Sequence, residues 1–157
     1  KWIIKEVNKL VKYTLKEYEK YEFHKPVVKI KHFIWEVFAS HYMELVKNRA
    51  YNQEGKFTQE EQDSARYTLN YTLDTILLLL APIIPFITYT IYNELRGKDI
   101  HLQPFPKPDE KIIGTRLSFT TEDIIEVNSK IWKKKKDKGT GRGPQLDAKT
   151  LRKSLKS

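Results

Sequence analysis

The chain has 157 residues, 39% of them hydrophobic and 31% charged, which suits one main domain with a core and argues against wholesale disorder. It contains no cysteine, which excludes a disulfide scaffold and a thiolate metal site and favours an intracellular, cytoplasmic protein. The net charge of +9 favours a polyanionic partner, nucleic acid ahead of an anionic membrane, and the longest apolar run, Ile76 to Ile87, is shorter than the ~20 residues that span a bilayer.

The first predicted element is an amphipathic helix from Trp2 to about Tyr21. Its apolar residues recur at three- and four-residue steps and therefore line one side of the helix: Ile3, Val7, Leu10, Val11, Thr14, Leu15 and Tyr18. The opposite side carries a stripe of lysines: Lys5, Lys9, Lys12, Lys16 and Lys20. The stripe is either a solvated face or a set of contacts to phosphates, and the sequence leaves both interpretations open.

The second predicted helix begins near Pro26, a residue that suits a first helical turn, and runs to about Asn52. Its apolar residues form two faces, which predicts helical neighbours on two sides, as in the middle of a bundle. The first face contains Ile30, Phe33, Ile34, Val37, Phe38, His41 and Leu45; the second contains Val28, Trp35, Ala39, Tyr42 and Val46.

A turn ending in a capping box leads to the third helix. We expect Gly55 to end the second helix, and Thr58 with Glu61 three residues later predicts the start of the third. Pro82 lacks the N–H that a continuing helix needs, so the third helix must stop or bend there. We expect a new helix from Pro85 to Leu95, with Ile84, Ile87, Ile91 and Leu95 packing on the same core as the third helix.

An extended, proline-stiffened stretch, "IHLQPFPKPDEK", follows the fourth helix. Thr120 or Thr121 then caps a C-terminal helix near residues 120–136, and the remainder is a flexible basic tail that holds one short helix around residues 147–155 or nothing ordered. Lys133 to Lys136 and Arg142 are expected to add nonspecific affinity for nucleic acid or to act as a solubilising flank. We predict a helical domain at residues 1–108 and a C-terminal segment at residues 109–157.

Three motifs in order carry a family resemblance: "FIWEVFASHYMELVKNRAY", "LLLLAPIIPFITYTIYNEL" and "IHLQPFP". Together they closely resemble the anticodon-binding domain of valyl-tRNA synthetase, a class I aminoacyl-tRNA synthetase, over about residues 1–108. The chain departs from the family pattern at Ser40-His41, where Asp-Trp is common, and at Tyr89-Thr90, where Glu-Glu is common. Isoleucyl-tRNA synthetase has a sister domain, and the Tyr42–Glu44–Lys47–Arg49 pattern and the Leu-Gln-Pro-Phe-Pro ending favour the valine enzyme.

The resemblance implies an all-α, antiparallel helical bundle that recognises the anticodon stem-loop of a valine-accepting tRNA. Neither ATP-binding signature of class I synthetases occurs in the sequence, so we expect catalysis, ATP and Mg²⁺ to belong to a catalytic domain elsewhere in the parent ligase, and no cofactor or metal in this chain. The expected partners are the tRNA and that catalytic domain, with no membrane, and the expected state is a monomer. The alternatives are the equivalent isoleucine domain and a structural or protein-interaction bundle.

Candidate contacts to tRNA come from the lysine stripe, the second helix and the family motif. Sequence-specific recognition of RNA uses unpaired bases, which stack on aromatic rings and hydrogen-bond at their edges, beside cations that neutralise phosphates. The candidates are Lys9, Lys12, Lys29, Lys31, His32, Trp35, Tyr42, Lys47 and Arg49. The alternative interpretations are ordinary surface residues for the lysines, core positions for Trp35 and Tyr42, and, for Arg49, a helix-end cation that pairs with the helix dipole or with a carboxylate.

Overall fold

A computed structural model describes the backbone of residues 1–137 and the side chains of residues 1–133. Regular structure in this part is entirely helical, which confirms the predicted all-α helical bundle and its C-terminal helix. The elements are α1 (Trp2–Tyr18), α2 (His24–His32), a π-helical segment (Phe33–Met43), α3 (Glu44–Tyr51), α4 (Gln59–Leu80), α5 (Pro85–Arg96), a 3₁₀ turn (Ile100–Leu102), α6 (Glu110–Ile113) and α7 (Thr121–Asp137). The predicted tail, its short helix and Arg142 lie outside the described residues.

The described residues form two compact units that interleave along the chain. The first unit contains Lys1–His32 and Tyr67–Thr115, and the second contains Phe33–Arg66 and the described residues from Arg116 onward. The start of α4 belongs to the second unit and its remainder to the first. The division of the chain at residue 108 stays a prediction.

In the first unit, α1 buries the predicted apolar side against α2 and α6. Asn8 is fully buried on this side and has three hydrogen bonds. Its Nδ2 donates to the Ile4 carbonyl (2.8 Å) and to the Tyr71 hydroxyl of α4 (3.2 Å), and its Oδ1 accepts from the Asp109 N–H (2.8 Å). Because a buried amide is costly without partners, these bonds fix how α1 sits on α4 and on the start of α6.

The predicted corner between the third and fourth helices is confirmed. α4 ends at Leu80 and α5 begins at Pro85. The Leu80 carbonyl accepts hydrogen bonds from the N–H groups of both Ile83 (2.9 Å) and Ile84 (3.0 Å). The Leu79 carbonyl, which an uninterrupted helix would pair with Ile83, instead accepts from the Tyr18 hydroxyl of α1 (2.9 Å). Burial raises the pKa of Tyr18 to about 12, so the hydroxyl remains a donor well above neutral pH.

The predicted orientation of α5 is wrong. Ile84, Ile87, Ile91 and Leu95 do recur at helical steps, but all four are exposed. The buried residues of α5 are Thr88 and Tyr92, and Tyr92 joins a cluster with Leu77, Ala81 and Ile100. The apolar stripe therefore lies beside the buried side of the helix and not on it.

The two apolar faces predicted for residues 26–52, a stretch that runs from the first unit into the second, are not both buried. Val28 of α2 and Trp35 and Ala39 of the π-helical segment are exposed, whereas Tyr42 and Val46 are buried. Phe33, Phe38 and Tyr42 stack in a row, with ring centroids 6.4 Å and 6.0 Å apart. A π-helix turns less per residue than an α-helix because its hydrogen bonds join residues i and i+5. Residues spaced for one face of an α-helix are consequently distributed around this segment.

The turn after α3 uses Asn52 and not Gly55 as the helix-ending residue. Asn52 has φ = 47°, in the left-handed region that asparagine tolerates, and its N–H donates to the Asn48 carbonyl (2.8 Å). Its side chain closes the turn by bonding the backbone of Phe57 in both directions. The predicted capping box is confirmed, since the Glu61 N–H donates to Thr58 Oγ1 (3.2 Å) and the Thr58 N–H donates to the Glu61 carboxylate (3.1 Å).

α7 also begins with a reciprocal cap, formed by Thr120 and Asp123, as predicted for Thr120. It packs on the π-helical segment, where Asn128 Nδ2 lies 3.1 Å from His41 Nδ1. Burial lowers the pKa of His41, and the opposing attraction of Glu36 is the smaller effect. A neutral imidazole can accept the amide hydrogen bond, which agrees with that direction.

We predict that Tyr18→Phe destabilises the protein by about 1 kcal/mol or somewhat more, because it leaves the Leu79 carbonyl without its donor while preserving the ring. Urea unfolding followed by circular dichroism measures the change. Tyr13→Phe on the same helix is the matched control, since no hydrogen bond involves the Tyr13 hydroxyl among the described residues. Equal effects of the two substitutions would show that the bond to Leu79 adds nothing to stability.

Candidate nucleic-acid interface

The outward side of α1, together with the turn that follows it, is rich in lysine. Four lysines there are exposed and follow one another at three- and four-residue steps, so that neighbouring ammonium groups share a face: Lys9, Lys12 and Lys16 of α1, and Lys20 of the turn. We call these four residues, together with Tyr13 and Lys29, the α1–α2 cationic face. Burial of the opposite side of α1 keeps this face turned toward solvent.

Three of the four lysines form ion pairs on the surface. Lys9 Nζ lies 2.7 Å from Glu6, Lys12 Nζ lies 2.8 Å from Glu110 of α6, and Lys20 Nζ lies 3.1 Å from Glu17. Lys16 has no ion pair or hydrogen bond with any described residue. Exposed ion pairs contribute only about 0–1 kcal/mol each to stability. A phosphate group can therefore replace the carboxylate partner of each of these lysines at little cost.

Lys29 of α2 extends this surface across the gap between two helices. Its Nζ lies 3.9 Å from the centre of the Tyr13 ring on α1, a cation–π contact within the first unit. The contact orders a side chain that would otherwise be free to rotate. It also places a cation and an aromatic ring side by side, a combination that proteins use to bind single-stranded RNA.

The other two candidates on α2 lie on different sides of it. His32 follows Lys29 by three residues and shares its side. Lys31 follows Lys29 by two residues and lies on roughly the opposite side of the helix, so the structure does not bring these two lysines together. Neither Lys31 nor His32 has an ion pair or hydrogen bond with a described residue.

The turn between α1 and α2 exposes two aromatic residues that the sequence did not single out. Tyr21 is 85% exposed and has φ = 58°, an uncommon conformation for a residue other than glycine. Phe23 is half-exposed, and its ring centroid lies 5.1 Å from that of Tyr18. Since Tyr21 directly follows Lys20, an exposed ring stands at the end of the α1–α2 cationic face. The sequence held one signal that could have identified this exposed ring, namely tyrosines next to lysines at the turn.

Trp35 and Tyr42 in the second unit have opposite environments. Trp35 is 69% exposed, so the core interpretation is wrong for it, whereas Tyr42 is 8% exposed and stacked on Phe38, so the core interpretation holds there. The seven-residue spacing would put both residues on one side of an α-helix. The π-helical segment separates them.

Lys47 and Arg49 of α3 also belong to the second unit. Lys47 Nζ lies 2.6 Å from the Glu44 carboxylate, one turn earlier on the same helix. Arg49 stands in the last turn of α3, half-buried, and no carboxylate pairs with it among the described residues. Its Nε is buried without a hydrogen-bond partner in that part of the chain. Of the alternative interpretation, the helix-end position of Arg49 is seen and a carboxylate partner among the described residues is not, so its charge is not neutralised by an ion pair there.

The described residues contain no group of three or more His, Asp or Glu side chains placed to hold a metal ion. Within residues 1–137, no helix combines the length and the apolar character needed to cross a bilayer.

Sequence comparisons give relatives for nearly the whole chain. The profile of the family described as the anticodon-binding domain of tRNA ligase matches residues 1–150. The valine–tRNA ligase of Pyrobaculum aerophilum is 39% identical over 140 residues, which cover 88% of this chain and 17% of that protein. The valine–tRNA ligase of Archaeoglobus fulgidus is 34% identical over 139 residues, covering 88% of this chain and 16% of that protein.

The valine–tRNA ligase of Aeropyrum pernix is 39% identical over 128 residues, covering 79% of this chain and 15% of that protein. The resemblance drawn from three sequence motifs is thereby confirmed. The chain spans only 15–17% of the length of these three relatives.

We predict that Trp35→Ala changes the free energy of unfolding by no more than about 0.5 kcal/mol, whereas Tyr42→Ala lowers it by about 3 kcal/mol or more. The reason is that only Tyr42 leaves a cavity when truncated. Urea unfolding of the two variants beside the unmodified chain gives both numbers. A large loss for Trp35→Ala, or a negligible one for Tyr42→Ala, would contradict the π-helical arrangement of these side chains.

Proposed function

Because this chain belongs to the family of anticodon-binding domains of tRNA ligases, we propose that it recognises the anticodon stem-loop of a valine-accepting tRNA, as one domain of a valine–tRNA ligase. The relatives that share 31–39% identity with it are named valine–tRNA ligases, which supports valine over isoleucine. Its role is to hold the stem-loop so that the acceptor end reaches the active site of the ligase.

The observation that carries this proposal is the α1–α2 cationic face. An anticodon loop presents unpaired bases and closely spaced phosphates, and it is best bound by ordered cations beside aromatic rings. Lys29 held over Tyr13 provides that arrangement in the middle of the face, and Lys20 followed by the exposed ring of Tyr21 provides it at the C-terminal end. Lys16 lies between them and Lys9 and Lys12 lie on the N-terminal side of Tyr13, all three as phosphate contacts, and His32 lies beside Lys29.

The second unit contributes a separate set of candidates. Trp35 offers an exposed indole ring for base stacking, and the half-buried Arg49, whose guanidinium has no ion pair with a described residue, is a candidate for a phosphate contact through its terminal nitrogens. Tyr42 supports this unit from its core and does not contact RNA. Lys47 is held by Glu44 and contributes only by exchanging that partner for a phosphate.

The catalytic part of the proposed ligase supplies the chemistry, which joins valine to tRNA with ATP and Mg²⁺. This chain contributes binding and orientation, and neither catalytic signature occurs in its sequence. In this proposal the ligase works in the cytoplasm as a monomer.

Charge reversal on α2 tests the proposal with a matched pair of variants. Lys29→Glu removes a cation from the α1–α2 cationic face, whereas Lys31→Glu makes the same change on the other side of the same helix. We expect Lys29→Glu to weaken binding of a valine anticodon stem-loop about tenfold, or roughly 1.4 kcal/mol, and Lys31→Glu to change it less than about threefold. Fluorescence anisotropy at several salt concentrations measures both affinities and their salt dependence.

Two controls separate the alternatives. An isoleucine stem-loop and an unrelated hairpin of equal length are expected to bind more weakly than the valine stem-loop. Equal affinity for all three would end the claim of specific recognition, and preference for the isoleucine stem-loop would assign the sister enzyme. If neither substitution alters RNA affinity, the lysines are a solubilising surface and the chain is a structural or protein-interaction bundle.

A further inference from the structure

One side of α5 is an apolar stripe that the described residues leave uncovered. Ile84, Ile87, Ile91 and Leu95 are 37%, 58%, 36% and 49% exposed. They recur at steps of three and four residues, so they adjoin one another along about three turns of helix. We call these four residues the α5 stripe. Contiguous apolar surface of this kind marks a contact with another molecule or domain, whereas scattered exposed leucines do not.

The stripe is not built for nucleic acid. Arg96 is the one cation in α5, and it is held by Asp74 at 3.0 Å and by Asn70 at 2.6 Å on the side facing α4. The residue beside the stripe is acidic, Glu94. RNA affinity comes largely from cations that neutralise phosphates, and this side of α5 has none; the exposed Lys98 lies beyond the end of the helix. Its occupant is a protein surface.

The relatives indicate which protein surface is available. This chain corresponds to only 15–17% of the length of the three valine–tRNA ligases compared above, so a ligase of that kind contains several times more polypeptide than this chain. A helix with apolar residues at positions i, i+3, i+7 and i+11 is the form that packs onto an apolar helix or sheet face.

We propose that the α5 stripe docks on an apolar surface of the valine–tRNA ligase polypeptide outside these 157 residues. The proposal rests on the proposed function, since it assumes that the chain is a domain of such a ligase. What the docking proposal adds to the proposed function is the face of this domain that contacts the rest of the ligase. α5 and α1 belong to the same compact unit, so docking α5 also fixes the α1–α2 cationic face relative to the rest of the ligase.

Cysteine labelling tests the docking directly, because the chain has no cysteine of its own. Ile87→Cys places a thiol in the stripe. Phe86→Cys places one on the adjacent residue, which is 85% exposed and lies on another side of α5. Each variant is prepared as the isolated chain and as a full-length ligase in which this chain replaces the matching region of the Pyrobaculum aerophilum enzyme. Labelling by a maleimide is quantified on the peptide that carries the thiol.

We expect the thiol at position 87 to react at least about tenfold more slowly in the full-length ligase than in the isolated chain, and the thiol at position 86 to react within about twofold of the same rate in both. Equal rates at position 87 in the two proteins would overturn the proposal. So would protection at position 87 in the isolated chain that grows with its concentration, which would identify a second copy as the occupant, or protection by a valine stem-loop, which would identify RNA.

Deuterium exchange of the unmodified α5 segment provides a second reading that needs no cysteine. We expect slower exchange in the full-length ligase than in the isolated chain, and unchanged exchange would also contradict the docking. Neither measurement uses RNA binding as its readout. The stem-loop affinities of the isolated chain therefore show independently whether the proposed function fails.

Discussion

The first unit depends on the hydrogen bonds made by the last carbonyl groups of α4, which ends at Leu80, two residues before Pro82. The Leu80 carbonyl accepts from two N–H groups of the corner, and the Leu79 carbonyl accepts from the Tyr18 hydroxyl. That last bond fastens the C-terminal end of α1 to the corner, while Asn8 fastens its N-terminal half to α4 and α6. With α1 held at both ends, its lysines face outward in a fixed register, which is what a surface for an RNA loop requires.

Features set by the chemistry of a few adjacent residues could be predicted from the sequence. The corner follows from the fixed geometry of two prolines, and the starts of α4 and α7 follow from a hydroxyl and a carboxylate three residues apart. The family resemblance could be recognised from the sequence for the same reason, because it rests on local motifs in a fixed order. The lysine side of α1 was also predictable, since the apolar residues opposite it leave only one way to bury the helix.

Features that depend on distant parts of the chain, or on an unusual helix, could not be predicted. The residue spacing correctly predicted that Ile84, Ile87 and Leu95 share one side of α5. Residue spacing does not show, however, whether that side packs on the core. The π-helical segment broke the assumption of α-helical phase, which is why Trp35 is exposed and Tyr42 buried. The ion pair between Lys12 and Glu110 joins residues far apart in the sequence, and no local sequence pattern predicts it.

Amide chemical-shift changes in the ¹⁵N-labelled chain, followed during titration with a valine anticodon stem-loop, would show whether the anticodon loop lies on the α1–α2 cationic face. We expect the largest changes along α1 from Lys9, through the turn that contains Lys20 and Tyr21, and at Lys29. Changes concentrated in α5, or an identical pattern with an unrelated hairpin of the same length, would contradict it.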